Sequence, residues 1–393
     1  MADKQVVIIG AGPAGMMLAY QLASQGVNVR VLERHPDFER EFRGELVQGS
    51  VVKELERSGI FAKLLERKLA LPNIERHMYV GHTRRVEVPG PREAGAIVSQ
   101  PGFLRLLHEL CSAFPHYRLD FSTPVQDAAV ENGRVVAVNT KAGRVDGGLF
   151  VVCNGRNSPL RKSFGLETET FETTADALWL RFDLSQAPQA MPTTVDVHMF
   201  GKGVVMVKSP TAHQKLHIAY SAPDDLNALK RDLPKLRERL LVTLQDPLRA
   251  LVAEQLSEQT ETQVLKIIVD RVKSWHAPGI LFLGDAAHTM SPSGGQGLNV
   301  AIRDTFTASN HLVPALTSGA EPDLGAIQRE RQPEIDAIQA GQTRAGQMVL
   351  KPIGVLHLMF TMMGAAMLVM GAKMRRGHGL TLPEPKFLKA VTP

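Results

Sequence analysis

Three glycines at fixed spacing carry the first chemistry in the chain. Gly10, Gly12 and Gly15 form a G-x-G-x-x-G turn directly after the apolar run Gln5-Val6-Val7-Ile8-Ile9. Gly10 permits a tight turn, Gly12 lets the backbone approach a pyrophosphate, and Gly15 allows a helix to pack closely on the strand before it. The following helix would aim free N–H groups and its positive dipole end at phosphate. Glu33 closes the next apolar run, where it can accept hydrogen bonds from ribose hydroxyls. Ala14, inside the turn, and Arg34, beside the acid, complete this set. The pattern predicts a dinucleotide site without choosing between FAD and NAD. The competing reading is a glycine-rich turn with no ligand. The strand before, helix after and downstream acid argue against it.

A second constellation lies far downstream. Gly284-Asp285 follows the apolar run Ile280-Leu281-Phe282-Leu283, and such an aspartate can accept from a ribityl hydroxyl. Gly294, Gly295 and Gly297 then lead with Leu298 and Asn299 into a helix. Its first amides would face the pyrimidine carbonyl of a flavin and stabilise negative charge on the reduced ring. His288 in the same stretch could be read as a general base, but its place in the motif favours a packed, hydrogen-bonded structural histidine.

These groups need elements to hold them. Residues 5–9 predict a buried parallel strand, 14–25 a helix and 27–32 a second strand, together a βαβ unit. Residues 45–67 and 101–113 predict helices. Between them, 74–98 shows short alternating stretches broken by Pro89-Gly90-Pro91. Residues 118–138 predict strands joined by an Asn132-Gly133 hairpin turn. Phe150-Val151-Val152 predicts another buried strand. Segments of strand character follow at 177–184, 194–200, 203–208 and 215–221, then a helix near 225–246 and a strand at 263–270. That run has the pattern of an antiparallel sheet with one helix. The strand at 280–283 then returns the chain to the first sheet. The fold class is α/β: a Rossmann-type nucleotide domain with an inserted antiparallel β-sheet substrate domain and a helical C-terminus. The expected boundaries are 1–73, 97–168 and 276–340 for the discontinuous nucleotide domain, 74–96 and 169–275 for the substrate domain, and 341–393 for the helical segment.

Composition narrows the class. The chain has 393 residues, 44% apolar and 22% charged, an ordinary globular balance with room for a large core. The net charge of +5 is a mild excess without a Lys/Arg block. It suits an anionic dinucleotide and gives no sign of nucleic-acid binding. Cys111 and Cys153 form no CxxC and read as buried free thiols. No metal cluster is evident. The N-terminus lacks a signal-peptide pattern, so the expected location is cytoplasmic. Oligomeric state is not indicated.

With these motifs in place, residues 4–340 resemble the class A flavoprotein monooxygenases, the para-hydroxybenzoate hydroxylase family. Residues 284–299 match its motif Gly-Asp-Ala-Ala-His…Pro…Gly-x-Gly-Leu-Asn. Arg43-Gly44-Glu45-Leu46-Val47-Gln48 resembles the family loop whose arginine contacts FAD, and is similar to the Gly-Glu-Leu-Leu-Gln stretch of squalene epoxidases. Gln100 matches a family position on the flavin side of the cofactor. The bland readings are a solvated arginine for Arg43 and a helix-start residue for Gln100. The family's Asp-Gly motif corresponds to residues 152–161, with Asn154 where the acid stands. Asparagine keeps an acceptor but loses the charge, which bears on how a pyridine nucleotide is recognised.

The resemblance implies an FAD-dependent monooxygenase of secondary metabolism, with NADPH or NADH as co-substrate. It would insert one oxygen from O2 into an apolar, aromatic or unsaturated small molecule, by hydroxylation or epoxidation, through a C4a-hydroperoxyflavin. Pro292, at the family position beside the isoalloxazine, is the candidate at the oxygen-reactive face. No second G-x-G-x-x-G exists, so NAD(P)H would bind transiently. Two alternatives stay open: a reductase or dehydrogenase of the same fold, and a non-catalytic flavin-binding protein, the latter motivated by Asn154. The inserted sheet offers Trp179, Arg181, His198, Met206, His217 and Tyr220 as lining, but alternation turns half of them away.

Residues 352–372 contain no Asp, Glu, Lys or Arg; Lys351 precedes them, and Lys373, Arg375 and Arg376 follow. Three readings apply: a buried helix, or a helical pair broken near Gly364, capping the cavity; peripheral membrane contact through 352–376; and a bilayer span.

Overall fold

The computed structural model describes residues 5–39, 45–82, 84–86, 94–172, 176–187 and 193–370. Arg43, the Pro89-Gly90-Pro91 break and the basic residues after 370 lie outside them. The strand Val6–Ile9 is wholly buried, as four consecutive β-branched side chains require when both faces of a parallel strand are covered. It lies between Val29–Leu32 and Leu149–Val152, parallel to both, with Val6 opposite Val29 on one side and Leu149 on the other. Tyr117–Asp120 extends the sheet beyond Val29–Leu32. On the opposite side Ile280–Phe282 adds a further parallel strand, and His276–Ala277 forms an antiparallel edge. The return predicted for 280–283 therefore takes place. The helices Gln100–Ser112 and Gln296–Ser318 pack on Pro13–Ala23, closing the main core around fully buried Phe150, Trp275 and Phe282.

The second large sheet departs from the expectation of antiparallel pairing throughout. Its strands run in the order Thr262–Leu265, Ala177–Asp183, Lys215–Ser221, Val204–Pro210, Thr194–Gly201, Ala70–Val80, Gly95–Val98 and Leu46–Val47. Thr194–Gly201 is parallel to Ala70–Val80. Between these strands the chain passes through the first sheet, and a long crossover of that kind permits parallel pairing that a hairpin does not. Alternation divides the faces. Leu178, Leu180, Phe182, Leu216, Ile218 and Tyr220 enter a second core with the helices Leu226–Arg231, Leu233–Thr243 and Leu248–Gln255. Trp179, Arg181 and His217 face the other way, as the register of the two strands requires.

Local breaks explain the remaining differences. The helix expected over 45–67 begins only at Gly49, because Leu46–Val47 pairs with Gly95–Val98, and it divides at Gly59, whose φ is +72°. The helix expected near 225–246 divides at Asp232, whose carboxylate accepts from the Lys235 N–H and restarts a helix with proline in its first turn. The hairpin at Asn132-Gly133 forms as predicted, with φ of +50° and +75°. Cys111 and Cys153 are buried free thiols, and burial pushes both upward in pKa.

The apolar helix Ile353–Met370 runs unbroken through Gly364, so no helical pair forms there. Leu356 and Phe360 pack on Val80 and Met199, whereas Leu358 and Met362 are exposed. Among the described residues no helix is long and apolar enough to cross a membrane.

Candidate active site

The first glycine turn is built by close approach. Gly10 has φ +105°, and a Cβ there would stand 2.7 Å from the Asn154 Cα. A Cβ on Gly15 would stand 1.9 Å from the Gly10 carbonyl oxygen. Gly12 is different: nothing lies nearer its Cβ position than the Cys153 carbonyl oxygen at 4.0 Å. The helix Pro13–Ala23 starts from Gly12 with proline in its first turn and no side-chain cap, and Ala14 is buried in that turn. An uncapped helix start behind an open glycine is a place for an anion. Glu33 is buried and accepts from the Ala11 N–H at 2.7 Å and the His35 N–H at 3.0 Å. Arg34 is exposed and donates from Nε to His35 Nε2 at 3.0 Å. Asn154, beside Gly10, has a buried Oδ1 with no hydrogen-bond partner among the described residues.

The Gly-Asp turn meets this site from the other side. Gly284 has φ +57°, and a Cβ there would stand 3.2 Å from the Ala301 Cβ and 3.5 Å from the Ala14 Cβ. The turn is therefore wedged between two helix starts, Pro13–Ala23 and Gln296–Ser318, with the exposed Asp285 as its next residue. Asp304, fully buried, fixes the turn. Its Oδ2 accepts from the Gly284 N–H at 3.0 Å and pairs with His288 Nε2 at 2.8 Å; its Oδ1 accepts from Arg331 Nε at 2.8 Å. Burial opposes the charge of Asp304, but His288 and Arg331 outweigh it and hold the carboxyl down to about 2. Arg303 pairs with Glu334 at 3.1 Å, and Arg331 also bonds Glu334. His288 thus takes the packed structural role its position suggested.

The glycine loop before the long helix takes two left-handed residues, Gly294 at φ +78° and Gly295 at φ +63°. Pro292 is exposed ahead of them. Among the described residues nothing lies within 4 Å of the Gly297 Cβ position, at the start of a second helix without a side-chain cap. Asn299 is fully buried. Its Nδ2 donates to the Leu46 and Gly295 carbonyls at 2.9 and 2.7 Å, and its Oδ1 accepts from the Gln48 N–H at 2.7 Å. It clamps loop 45–48 to the long helix. Leu298 and Gln100 line one small pocket with Val47, Val98, Phe103 and Ile302. The structure thus gathers Gly10, Gly12, Ala14 and Gly15 with Asn154 and Asp285, and groups Leu298 and Asn299 with the loop after Arg43.

The inward face of the second sheet brings two of the proposed lining residues, Arg181 and His217, near Glu45 of the loop motif. His217 accepts from Arg181 Nε at 3.2 Å, and burial, reinforced by Arg181, lowers it to about 4. Arg181 is also paired with Glu261 at 2.7 Å. Glu45 is raised to about 7 by burial, against the pull of Arg181 and of a hydrogen bond from the Gln100 N–H. Of the proposed lining, Met206 and Tyr220 enter the far core, and His198 stacks on Tyr79 with ring centroids 4.6 Å apart. Only the strand register could have told these residues apart.

The residues that could hold a cofactor fit a dinucleotide carrying a flavin: two open helix starts, an exposed carboxylate between them and an unsatisfied Asn154 Oδ1. A family model described as FAD binding domain matches residues 3–342. The chain is 29% identical over 375 residues to a 6-methylpretetramide 4-monooxygenase of Streptomyces rimosus, covering 89% of this chain and 85% of the relative. It is 26% identical over 383 residues to a dialkyldecalin synthase of Streptomyces rugosporus, covering 92% of this chain and 76% of the relative. The crystal structure of a probable FAD-dependent monooxygenase from Pseudomonas aeruginosa superposes with a TM-score of 0.75 at 22% identity, over 88% of this chain and 95% of that one.

Glu45 yields a stability test. Its pKa is raised from 4.5 to about 7 on folding. The folded state therefore holds its proton more tightly, and the stabilisation present below 4.5 is lost as pH rises through about 7. Glu45→Gln removes that dependence while keeping an acceptor for the Gln100 N–H. Urea unfolding at pH 5 and pH 8 should show the wild type losing up to about 3 kcal/mol more than the variant. Equal losses in the two proteins would show that Glu45 is ionised throughout.

Proposed function

The chain belongs to the FAD-binding-domain family, within the class A FAD-dependent monooxygenases, and on that premise we propose how its residues serve the reaction. FAD is the cofactor and a nicotinamide nucleotide the reductant. When bound, FAD supplies the redox chemistry that activates O2. The remaining work of binding, orienting and excluding water falls to the chain.

In this reading Gly10, Gly12, Ala14 and Gly15 bring one helix start to the diphosphate. Glu33, which accepts from the Ala11 and His35 N–H groups, stands at the ribose. Asp285 serves the ribityl chain, and the amides at Gly295, Gly297 and Leu298 stabilise charge on the ring. Asn299 acts by holding loop 45–48 in place, since both ends of its amide are already engaged. Pro292 and Gln100 border the ring side. In this reading Asn154, whose Oδ1 has no hydrogen-bond partner among the described residues, keeps an acceptor where the family has an acid.

The observation carrying this proposal is the wedge of Gly284 between Ala14 and Ala301, which sets Asp285 between two uncapped helix starts. The substrate is an aromatic or unsaturated small molecule lying under the inward face of the second sheet, hydroxylated or epoxidised there. The relative named as a 4-monooxygenase supports oxygen insertion over oxygen-free reduction. Oxygen-electrode assays with FAD-loaded protein, NADH or NADPH, and a panel of aromatic and isoprenoid compounds test the reading. At least one compound should raise O2 uptake several-fold in step with nucleotide oxidation. Reduction without oxygen uptake would mark a reductase, and no reduction with any compound a binding protein.

We also propose that the apolar helix meets an anionic membrane surface peripherally. Ile353, Val355, Leu358, Met359 and Met362 are exposed on it, with Leu358 60% and Met362 65% accessible. Lys351 precedes the helix, and Lys373, Arg375 and Arg376 follow it in sequence. Apolar insertion beside basic residues suits anionic headgroups. Vesicles containing phosphatidylserine should sediment the protein, and the double variant Leu358→Asp, Met362→Asp should lose that binding at least tenfold. Equal sedimentation with neutral phosphatidylcholine vesicles, or none with either, would sink the proposal.

A further inference from the structure

We propose that Glu45 is a redox-linked proton acceptor: its carboxylate takes a proton from solvent as negative charge builds on the reduced flavin ring. The role rests on the monooxygenase reading above and adds a residue to its reductive step. Glu45 opens the loop that Asn299 clamps through the Leu46 carbonyl and the Gln48 N–H. Its own carbonyl accepts from the Val98 N–H at 2.8 Å, and its carboxyl accepts from the Gln100 N–H. The side chain of the next residue, Leu46, stands 3.2 Å from the Gly295 Cβ position. Glu45 is therefore tied to Gln100 on one side and, through Leu46, to Gly295 on the other. Both border the ring in that reading.

Little at this position supports a negative charge. The Glu45 Oε2 is buried and has no hydrogen-bond partner among the described residues. A buried carboxylate keeps its charge only with several donors or a close cation. Arg181 is the cation that acts on it, but Arg181 also pairs with Glu261 at 2.7 Å and donates to His217 at 3.2 Å. His217, lowered to about 4, is neutral at pH 7. Other titratable groups around the loop are engaged elsewhere. His213 Nε2 lies 3.1 Å from the Ser99 hydroxyl, Arg303 pairs with Glu334 at 3.1 Å, and the exposed Arg76 has its Nη1 3.5 Å from the Gly294 carbonyl oxygen. Burial therefore outweighs Arg181 and raises Glu45 to about 7, so both protonation states are populated at neutral pH. A hydride from the nicotinamide nucleotide brings two electrons and one proton to the ring and leaves one negative charge there. That charge pushes the Glu45 carboxyl further up, and its ionised fraction takes the second proton from solvent. The coupling is reciprocal: an ionised Glu45 disfavours reduction, and a protonated one does not. The helix start at Gln296 offers the ring a fixed positive end, and Glu45 adds the part that responds to pH.

The test is the midpoint potential of the FAD-loaded protein, measured at pH 5 and pH 9 in the wild type and in Glu45→Gln. At pH 5 the reduction equilibria of the two proteins should agree within about threefold. At pH 9 reduction of the wild type should be at least tenfold less favourable than that of the variant, about 30 mV for a two-electron couple. Protons that titrate on the ring itself cancel in this comparison. The oxidised flavin absorbance of the wild type should also titrate with a midpoint near 7, and Arg181→Met should move that midpoint upward, because the cation that lowers it is gone. A gap at pH 9 no larger than the gap at pH 5, or one of opposite sign, overturns the proposal. So does a wild-type flavin absorbance with no step near 7, or a midpoint that stays in place or falls in Arg181→Met. If Glu45→Gln binds no FAD, the wild-type titration and its shift in Arg181→Met decide the matter. A wild type that binds no FAD at all would instead defeat the monooxygenase reading, a distinct result.

Discussion

Asp304 lies fully buried among the Gly284 N–H, His288 and Arg331, and the spacing of the whole site depends on that carboxylate. Taking a carboxylate out of water costs several kcal/mol unless its lone pairs are met, and here three donors from three segments meet them. The three are the Gly-Asp turn, the short strand after it and the helix Leu324–Val349. Asp304 itself rides on Gln296–Ser318. One group therefore sets how far the second glycine-rich helix start stands from the Gly-Asp turn. Gly284 then sets the distance to the first, because its Cβ position is closed off by Ala14 and Ala301. A two-part grip on a long cofactor needs this fixed separation more than it needs any one contact.

Much of this could be read along the chain. The βαβ unit was legible because a buried parallel strand needs a continuous apolar run and its glycine turn has few sequence solutions. The hairpin at Asn132-Gly133 was legible for a similar reason, since two adjacent positive φ angles favour those two residues. The Gly-Asp stretch also announced itself through spacing. The roles inside it did not. Asn299 looked like a ligand-facing residue, and its amide proves to be engaged with loop 45–48, a partner more than two hundred positions earlier. Asp304 drew no notice because nothing in its neighbours along the chain reveals that Arg331 and His288 will arrive beside it. The parallel pair within the second sheet was hidden likewise, since strand direction depends on where the intervening chain has been.

The charges divide into a structural set and an accessible one. Arg161, Arg303, Arg331 and Lys208 are buried with acids, so their ionisation serves the fold. Asp285 and Arg76, by contrast, are exposed.

Gly12 and Gly297 allow the central claim to be measured directly, because a Cβ added at either position meets no atom of the described residues beyond its chain neighbours closer than about 4 Å. Gly12→Val and Gly297→Val should therefore leave the circular dichroism and melting temperature of the cofactor-free protein unchanged. Each variant, titrated with FAD, should bind it at least a hundredfold more weakly than the wild type. Wild-type FAD affinity in either variant would contradict the account, because one of the two helix starts would then have no cofactor against it.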